Sequence, residues 1–587
     1  MNGSPSVLGD DFFKFLGKGL LGDLSSNHSK TTVKKKFEEY TKLIDETLLS
    51  GIQKMWIWEH IAMPKVGWDF LIHDFPPSFV EAELQPIQTR FLKKWSGLAI
   101  RAEPSVLYRS REHAGMALKE AIEEHKRQRL IRRHQLATSK DQVVRAIHEQ
   151  FEERQKQREK WGKLGAAVKS KTNEWKECLE MQKLLAEVKT GKMVGKSSNG
   201  SGVGCGPHRR SCAINKFKAE REEMLAVFSE ITEQERLRKI ISTPLEDSEL
   251  GTHPFEKKGN YFNDWVMWEN YMAADLRWNH LLQQQDSYLK FVLNGTQDSL
   301  PTPSRLNTWQ EESAGDGRCP LGCKEKGTLK HILCSCWIAL KEEPQSRITW
   351  RHDSILLAIF RGVMDRIQEA NAQPRQEDAL PPIKLKSIET LNGDSLVSNA
   401  SGNSFTAPAK PTPLKCVLEK ATDWQVQFDI NEEGQVKDRN FPPEIAVVTG
   451  EGSRPDGVIW SMESKTVIWI ELTSPWETNM PKQHDYKINR SNQLAIDLRE
   501  GKYFGVKWTV LPFYVEIGAR GAVHDLDSCN MGYNRMCSKL GFTGKARKRL
   551  TKAVQMAAVH ASHFIFLCRF HKKWEPQRLL DTWKRFE

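Results

Sequence analysis

The chain has 587 residues, enough for several domains, and carries 87 Lys and Arg against 75 Asp and Glu, a formal net charge of +12 that suits a polyanionic partner. No run of about eighteen apolar residues occurs, so a membrane span is not expected, and the opening MNGSPSVLGDDFFKF lacks the basic and apolar blocks of a signal peptide. Eleven cysteines over this length do not make a disulfide scaffold, and four of them crowd between Cys319 and Cys336, which points to metal in a reducing compartment.

Residues 1–118 read as helices with short turns. Phe15-Leu16-Gly17-Lys18 comes first. A helical stretch over Thr32–Trp58 follows, with apolar residues spaced by three and four. The turn Pro64 to Leu71 precedes a helix from about Val80 to Trp95, which ends in Lys93-Lys94-Trp95-Ser96-Gly97-Leu98. Leu107-Tyr108-Arg109-Ser110 closes the section. Asp10-Asp11 lacks the flanking strands of a polymerase aspartate pair and reads as a polar turn.

Residues 119–193 are charged helix. Between 119 and 190 there are 18 Lys and Arg against 12 Asp and Glu, net +6. The densest part runs from His125 to Arg133, where Lys126, Arg127, Arg129, Arg132 and Arg133 form a candidate nucleic-acid-binding and nuclear-localisation patch. A solvated helix face with i,i+4 ion pairs is the competing reading. Residues 194–212 are rich in Gly and Ser and read as a flexible linker. Residues 213–310 return to Trp-rich helix, closed by Leu300-Pro301-Thr302-Pro303.

In residues 311–368, Cys319-x3-Cys323-x7-His331-x4-Cys336 offers three thiolates and an imidazole at the spacing of a tetrahedral structural zinc site. Gly322 and Gly327 allow the tight turns, and Cys334 is a spare thiol that competes with Cys336. Arg347 to Asp353 follows, with His352 and Asp353 read as structural groups leading into a helix over Ser354–Gln368. Residues 369–415 hold Pro, Ser, Asn and Gly and read as a long linker.

Residues 416–587 form an α/β region. Trp424–Ile430 has strand composition. Arg454-Pro455-Asp456 opens the apolar run Val458-Ile459-Trp460; a polar turn and a second run, Thr466–Leu472, make a hairpin. Asp456 begins the first strand, and Glu471 lies deep in the second with fourteen residues between them. Alternation puts Val467, Trp469 and Glu471 on one face and Ile468, Ile470 and Leu472 on the other. An acid in so apolar a strand is costly to bury unpaired, and a divalent cation held by both carboxylates removes that cost. A helix over Gln483–Glu500, a strand over Trp508–Glu516, a helix over Lys545–Ser562 and a last strand, Phe564–Leu567, complete the region.

The hairpin resembles the PD-(D/E)xK nuclease fold in the form carried by site-specific non-LTR retrotransposons with a restriction-like endonuclease. The knuckle, the Arg347–Asp353 segment and the first 118 residues resemble the same elements, in the family's order. Phe15-Leu16-Gly17 looks like the primer grip, and the Lys93–Leu98 and Tyr108–Ser110 stretches look like the thumb. The resemblance implies an α+β multidomain protein: thumb-like and linker helices, a small zinc knuckle, and a C-terminal restriction-endonuclease-like domain with a mixed sheet.

It also implies Mg or Mn held by Asp456 and Glu471 for target-DNA nicking, and Arg454 on phosphate. Glu444 and Glu516 are reserve ligands. The usual lysine two residues after the second acid is Thr473 here; the retrotransposon versions place the basic residue on the following helix, which nominates Lys487, then Lys482. The knuckle spacing of the family favours Cys336 over Cys334 as the fourth zinc ligand. Target DNA, element RNA and a separate polymerase-bearing chain are the implied partners, and the nucleus the implied compartment. A catalytically inactive, co-opted nucleic-acid-binding fragment is the alternative, favoured by the missing palm and the missing E-x-K lysine.

Overall fold

The computed structural model of the chain describes residues 12–15, 18–21, 27–100, 102–111, 114–162, 221–234, 236, 271–309, 315–342, 345–372, 416–430, 455–524 and 531–584. They fall into two units: Met1–Trp268 with Asp275–Leu300, and Glu269–Ala274 with Pro301–Glu587.

Among the described residues the first unit is helical apart from a hairpin of β1 (Phe12–Phe15) and β2 (Lys18–Leu21). Its helices include α1 (Asn27–Asp45), α2 (Gly51–Ile57), α3 (Met63–Ile72), α4 (Gln85–Ser96), α5 (Ala121–Ala137), α6 (Gln142–Gly162) and α7 (Asp286–Thr296). In α1, Val33, Phe37 and Ile44 fall at helical spacing and are buried. Phe37 meets Trp58, whose ring stands edge-on to it at 5.0 Å between centroids. Ser50 and Gln53 form a capping box at the start of α2. Asp286 accepts two more N–H groups there, from Gly51 at 2.6 Å and Ile52 at 3.0 Å. At the end of α4, Gly97 takes a left-handed conformation at φ 66°, which stops the helix where the sequence leaves its apolar pattern.

The second unit is built on a four-stranded mixed sheet of β4 (Gln425–Phe428), β5 (Gly457–Ser461), β6 (Thr466–Thr473) and β7 (Thr509–Glu516), in that spatial order. β4, β5 and β6 run antiparallel, and β7 is parallel to β6. Its helices include α8 (Arg347–Asn371), α9 (Met480–Glu500), α10 (Tyr533–Lys539), α11 (Gly544–Leu567) and α12 (Pro576–Lys584). A separate two-stranded ribbon pairs β3 (Tyr271–Met272) with β8 (Val523–His524).

Alternation divides the apolar residues between the two faces. Ile459, Ile468, Ile470, Leu472, Phe513 and Val515 pack with the buried stripes of α8 and α11. Val458, Trp460, Val467, Trp469 and Val510 pack with Ala495 and Leu498 of α9. A sheet covered on both faces explains why β5 and β6 read as nearly continuous apolar runs.

The structure departs from the sequence reading at several points. Pro64–Leu71 lies within α3, not in a turn, directly after a π-helical turn, Trp58–Ala62. A strand, β1, begins at Phe12, directly after Asp10-Asp11, where no flanking strand is expected. Phe564–Leu567 is the last turn of α11, not a strand, because the spacing Val554, Ala558, Ala561, Ile565 continues unbroken by Gly or Pro. The segment 311–368 is not a domain apart, since Ile355, Leu356, Ile359 and Val363 of α8 supply one wall of the sheet's own core. The stretch 213–310 is divided between the two units.

Trp469 is fully buried at the centre of the α9 face. Trp469→Ala is expected to cost roughly 3–5 kcal/mol, read as an earlier denaturant midpoint for the second unit by near-ultraviolet circular dichroism. A loss below about 1 kcal/mol would mean that α9 does not pack as described.

Candidate functional site

Four of the predicted ligands converge. Cys319, Cys323, His331 and Cys336 are all buried, with their ligating atoms within 4.8 Å of one another. Cys319 Sγ lies 3.8 Å from Cys336 Sγ, and Cys323 Sγ lies 3.0 Å from His331 Nε2. Local backbone geometry makes this possible. Gly322, at φ 86°, turns the chain back so that its N–H donates to Cys319 O at 3.0 Å. Gly327 is needed for room: a Cβ there would lie 2.9 Å from both Arg318 O and Pro303 Cβ.

His331 begins a single π-helical turn, and the Cys336 N–H donates to His331 O at 2.9 Å. That wider turn sets residues five apart side by side, as a tetrahedral site requires. Cys334 points elsewhere, with its sulfur 3.7 Å from an Arg351 Nη. A buried Cys3His cluster able to hold a metal ion is therefore present, with Cys336 rather than Cys334 as its third thiol.

The acidic pair lies at one end of the sheet. The β5–β6 ladder ends with Gly457 opposite Ile470, so Asp456 and Glu471 occupy the next step of the same register. The Leu472 N–H donates to Asp456 Oδ2 at 2.7 Å. Lys487 of α9 forms an ion pair with Glu471 Oε2, and both side chains are largely buried. One turn on, Ser491 hydrogen-bonds the Tyr514 hydroxyl, and Tyr514 is the register partner of Glu471 on β7. The helical repeat of α9 is thus matched to the strand repeat of the sheet.

Each acid faces a cation, and the sequence reading gives one of those cations a structural place but not this partner. His352, one residue past Arg351 on α8, sits with Nε2 3.4 Å from Asp456 Oδ2 and Nδ1 3.1 Å from Asp353 Oδ1. Burial opposes a charged imidazole, but the hydrogen bonds to Asp353 and Asp456 prevail and push His352 up to about 10. Burial likewise opposes ionisation of Asp456. His352, Lys487 and the Leu472 N–H outweigh it and hold the carboxyl below the ordinary aspartate value. Glu471 ends above its ordinary value, because burial and the nearby Asp456 charge outweigh Lys487. The signal for His352 was an Arg-His-Asp run just ahead of the apolar stripe of α8; its partner lies more than a hundred residues away in sequence, which periodicity cannot reveal.

The remaining predicted residues divide. Lys482 is exposed in the first turn of α9. Glu516 is buried at the end of β7, between His484 and His524. Arg454 and Glu444 lie outside the described residues. On α5 much of the predicted basic patch is engaged inside the first unit: Arg127 pairs with Glu124 at 3.2 Å, and Arg129 and Arg132 both pair with Asp74. The cause is packing, since α5 lies against α3, which leads directly to Asp74. Lys126 and Arg133 are half-buried on the same helix. The patch is accordingly a weaker electrostatic footprint than its charge count suggested.

No family model matches the chain, and no curated protein is significantly similar to it.

Two outcomes are expected from this geometry. Cys336→Ser should release the ion held by the cluster, whereas Cys334→Ser should retain it, as measured by elemental analysis of the purified chain; equal loss in both would reverse the ligand choice. His352 bears on stability because its folded pKa exceeds the ordinary 6.5: its contribution is complete below pH 6.5 and is lost as pH rises through about 10. His352→Gln should therefore flatten the decline in stability between those pH values, in buffer without added divalent salt.

Proposed function

We propose that the chain is the metal-dependent endonuclease module of a site-specific non-LTR retrotransposon, nicking target DNA to leave a 3′-hydroxyl that primes reverse transcription. The observation that carries this reading is the meeting of Asp456 and Glu471 across β5 and β6, with Lys487 reaching Glu471 from the helix that follows. Two carboxylates at the end of an apolar sheet, close enough for the Asp456 charge to bear on the ionisation of Glu471, form a hard-oxygen donor set suited to Mg or Mn. When bound, that cation would offset charge on the attacking and leaving phosphate oxygens.

The roles of the chain's own side chains follow from their contacts. Asp456 and Glu471 supply the negative charge that holds a cation beside the scissile phosphate. Lys487 lends positive charge at the place where Thr473 cannot. His352, protonated at neutral pH, keeps Asp456 ionised. Zn is the ion proposed for Cys319, Cys323, His331 and Cys336: three thiols and an imidazole leave no position open for substrate, which makes the role structural. Nuclear localisation and binding of target DNA and element RNA belong to the same reading, as does a polymerase-bearing chain as partner.

A second reading, a nucleic-acid-binding fragment without catalysis, has its own support. His352 and Lys487 already neutralise the two carboxylates, so a dication has to compete with built-in cations.

Nicking of supercoiled plasmid separates the two. With Mg or Mn the full chain should produce open circles, Asp456→Ala and Glu471→Ala should abolish them, and Lys487→Ala should slow them by roughly 10²–10³-fold. DNA binding should persist in all three and weaken steeply between about 50 and 200 mM salt. Plasmid left supercoiled by the wild-type chain, with salt-sensitive binding intact, would favour the fragment reading.

A further inference from the structure

Glu516 poses a problem of its own. Its carboxylate is 1% exposed, at the end of a strand whose neighbours are apolar, and such a group is not left uncompensated. Two imidazoles meet it. His484 Nδ1, from α9, lies 3.0 Å from both carboxylate oxygens. His524 Nδ1, from β8, lies 3.2 Å from Oε2. All three residues are buried and present their ligating atoms within 4.8 Å of one another.

They arrive from three elements, and the backbone between two of them is shaped to return the chain. The Gly518 N–H donates to Ala522 O at 2.7 Å, and Ile517 bridges Val523. Gly521, at φ 87°, would drive a Cβ to 2.5 Å from Val559 Cγ2. The turn brings His524 back beside Glu516, and Tyr271 stands edge-on to its ring at 5.5 Å.

His524 Nε2 and the hydroxyl of Thr473, the register partner of Glu516 on β6, are buried without a protein partner.

The separations from the carboxylate suit an ion. Ligands bound at about 2.0–2.2 Å stand roughly 3.0–3.5 Å apart around a metal, which matches the 3.0 and 3.2 Å between each imidazole Nδ1 and Glu516. Two imidazole nitrogens and one carboxylate oxygen select a borderline first-row dication over Mg or Ca. We propose that His484, Glu516 and His524 form a second metal site, for a zinc-class dication, separate from the Cys3His cluster and from Asp456 and Glu471. It pins α9 to β7 one turn before Lys487. This assignment does not depend on the nuclease reading.

Metal stoichiometry tests it. The full chain, stripped and reloaded in a zinc-buffered solution, is expected to hold two equivalents of Zn. Cys319→Ser and His524→Gln should each remove one, independently, and Glu516→Gln, which preserves shape but replaces one carboxylate oxygen with an amide, should also remove one. Loading the wild-type chain with Co gives a readout that needs no variant: one equivalent should carry sulfur-to-metal charge-transfer absorption, and a second should add only weak d–d bands. A wild-type chain that retains one equivalent and shows only the sulfur-linked spectrum would overturn the proposal. So would a Glu516→Gln chain that still holds two.

Discussion

Burying a carboxylate at the end of an apolar sheet requires a polar partner within hydrogen-bond reach, and the second unit meets that requirement three times. Asp456 faces His352, Glu471 faces Lys487, and Glu516 faces His484 and His524. None of these acids draws its partner from its own strand. The partners come from α8, α9 and β8, so the helices that cover the sheet are bound to it by charge as well as by apolar burial. The positions along α9 show the dependence. His484, Lys487 and Ser491 follow the helical repeat, and they meet Glu516, Glu471 and Tyr514, which follow the strand repeat. A shift of one residue in either element would strand several polar groups at once.

Two buried arginines extend the same logic outward from the sheet. Arg351 is fully buried; it donates to Leu333 O in the π turn of the cysteine cluster and to Ser474 just beyond β6. The ligand cluster and the acidic end of the sheet therefore share one side chain, next in sequence to His352. Arg520 donates to Glu477 Oε2 at 2.6 Å and lies 3.8 Å from the centre of the Trp476 ring, closing the turn that follows β7. Both guanidiniums use several directions at once, which a lysine could not reproduce. Loss of either would leave buried carbonyl or carboxylate groups unpaired.

The two metal arrangements differ in how they are assembled. The Cys3His cluster draws all four donors from eighteen consecutive residues, Cys319 to Cys336, and its geometry follows from two glycines and one π turn. The His-Glu-His group draws on residues as far apart as 484 and 524, and only the packing of α9 over β7 with the return of β8 brings them together. Short-range sites can form as the chain turns. Long-range ones need the sheet first.

That contrast marks the boundary between what the sequence determined and what tertiary structure decided. The cysteine spacing, the β5–β6 hairpin, the facing of Glu471 away from Ile470, and the helices α1, α4 and α9 were legible because each rests on local periodicity, turn chemistry or ligand spacing. Asp456 opposite Glu471 was legible too, since a tight hairpin fixes its own register. The end of α11 was misread because a short apolar run fits a helix or a strand equally until its neighbours are known. The basic stretch of α5 showed its charges but not Asp74, which lies some fifty residues away in sequence and takes up two of them. His484 and His524 carried no signal of their own, and the run that holds His352 did not name its partner. A lone histidine has no period and no spacing rule; its role is set by whichever carboxylate the fold delivers to it, and that delivery is a property of packing.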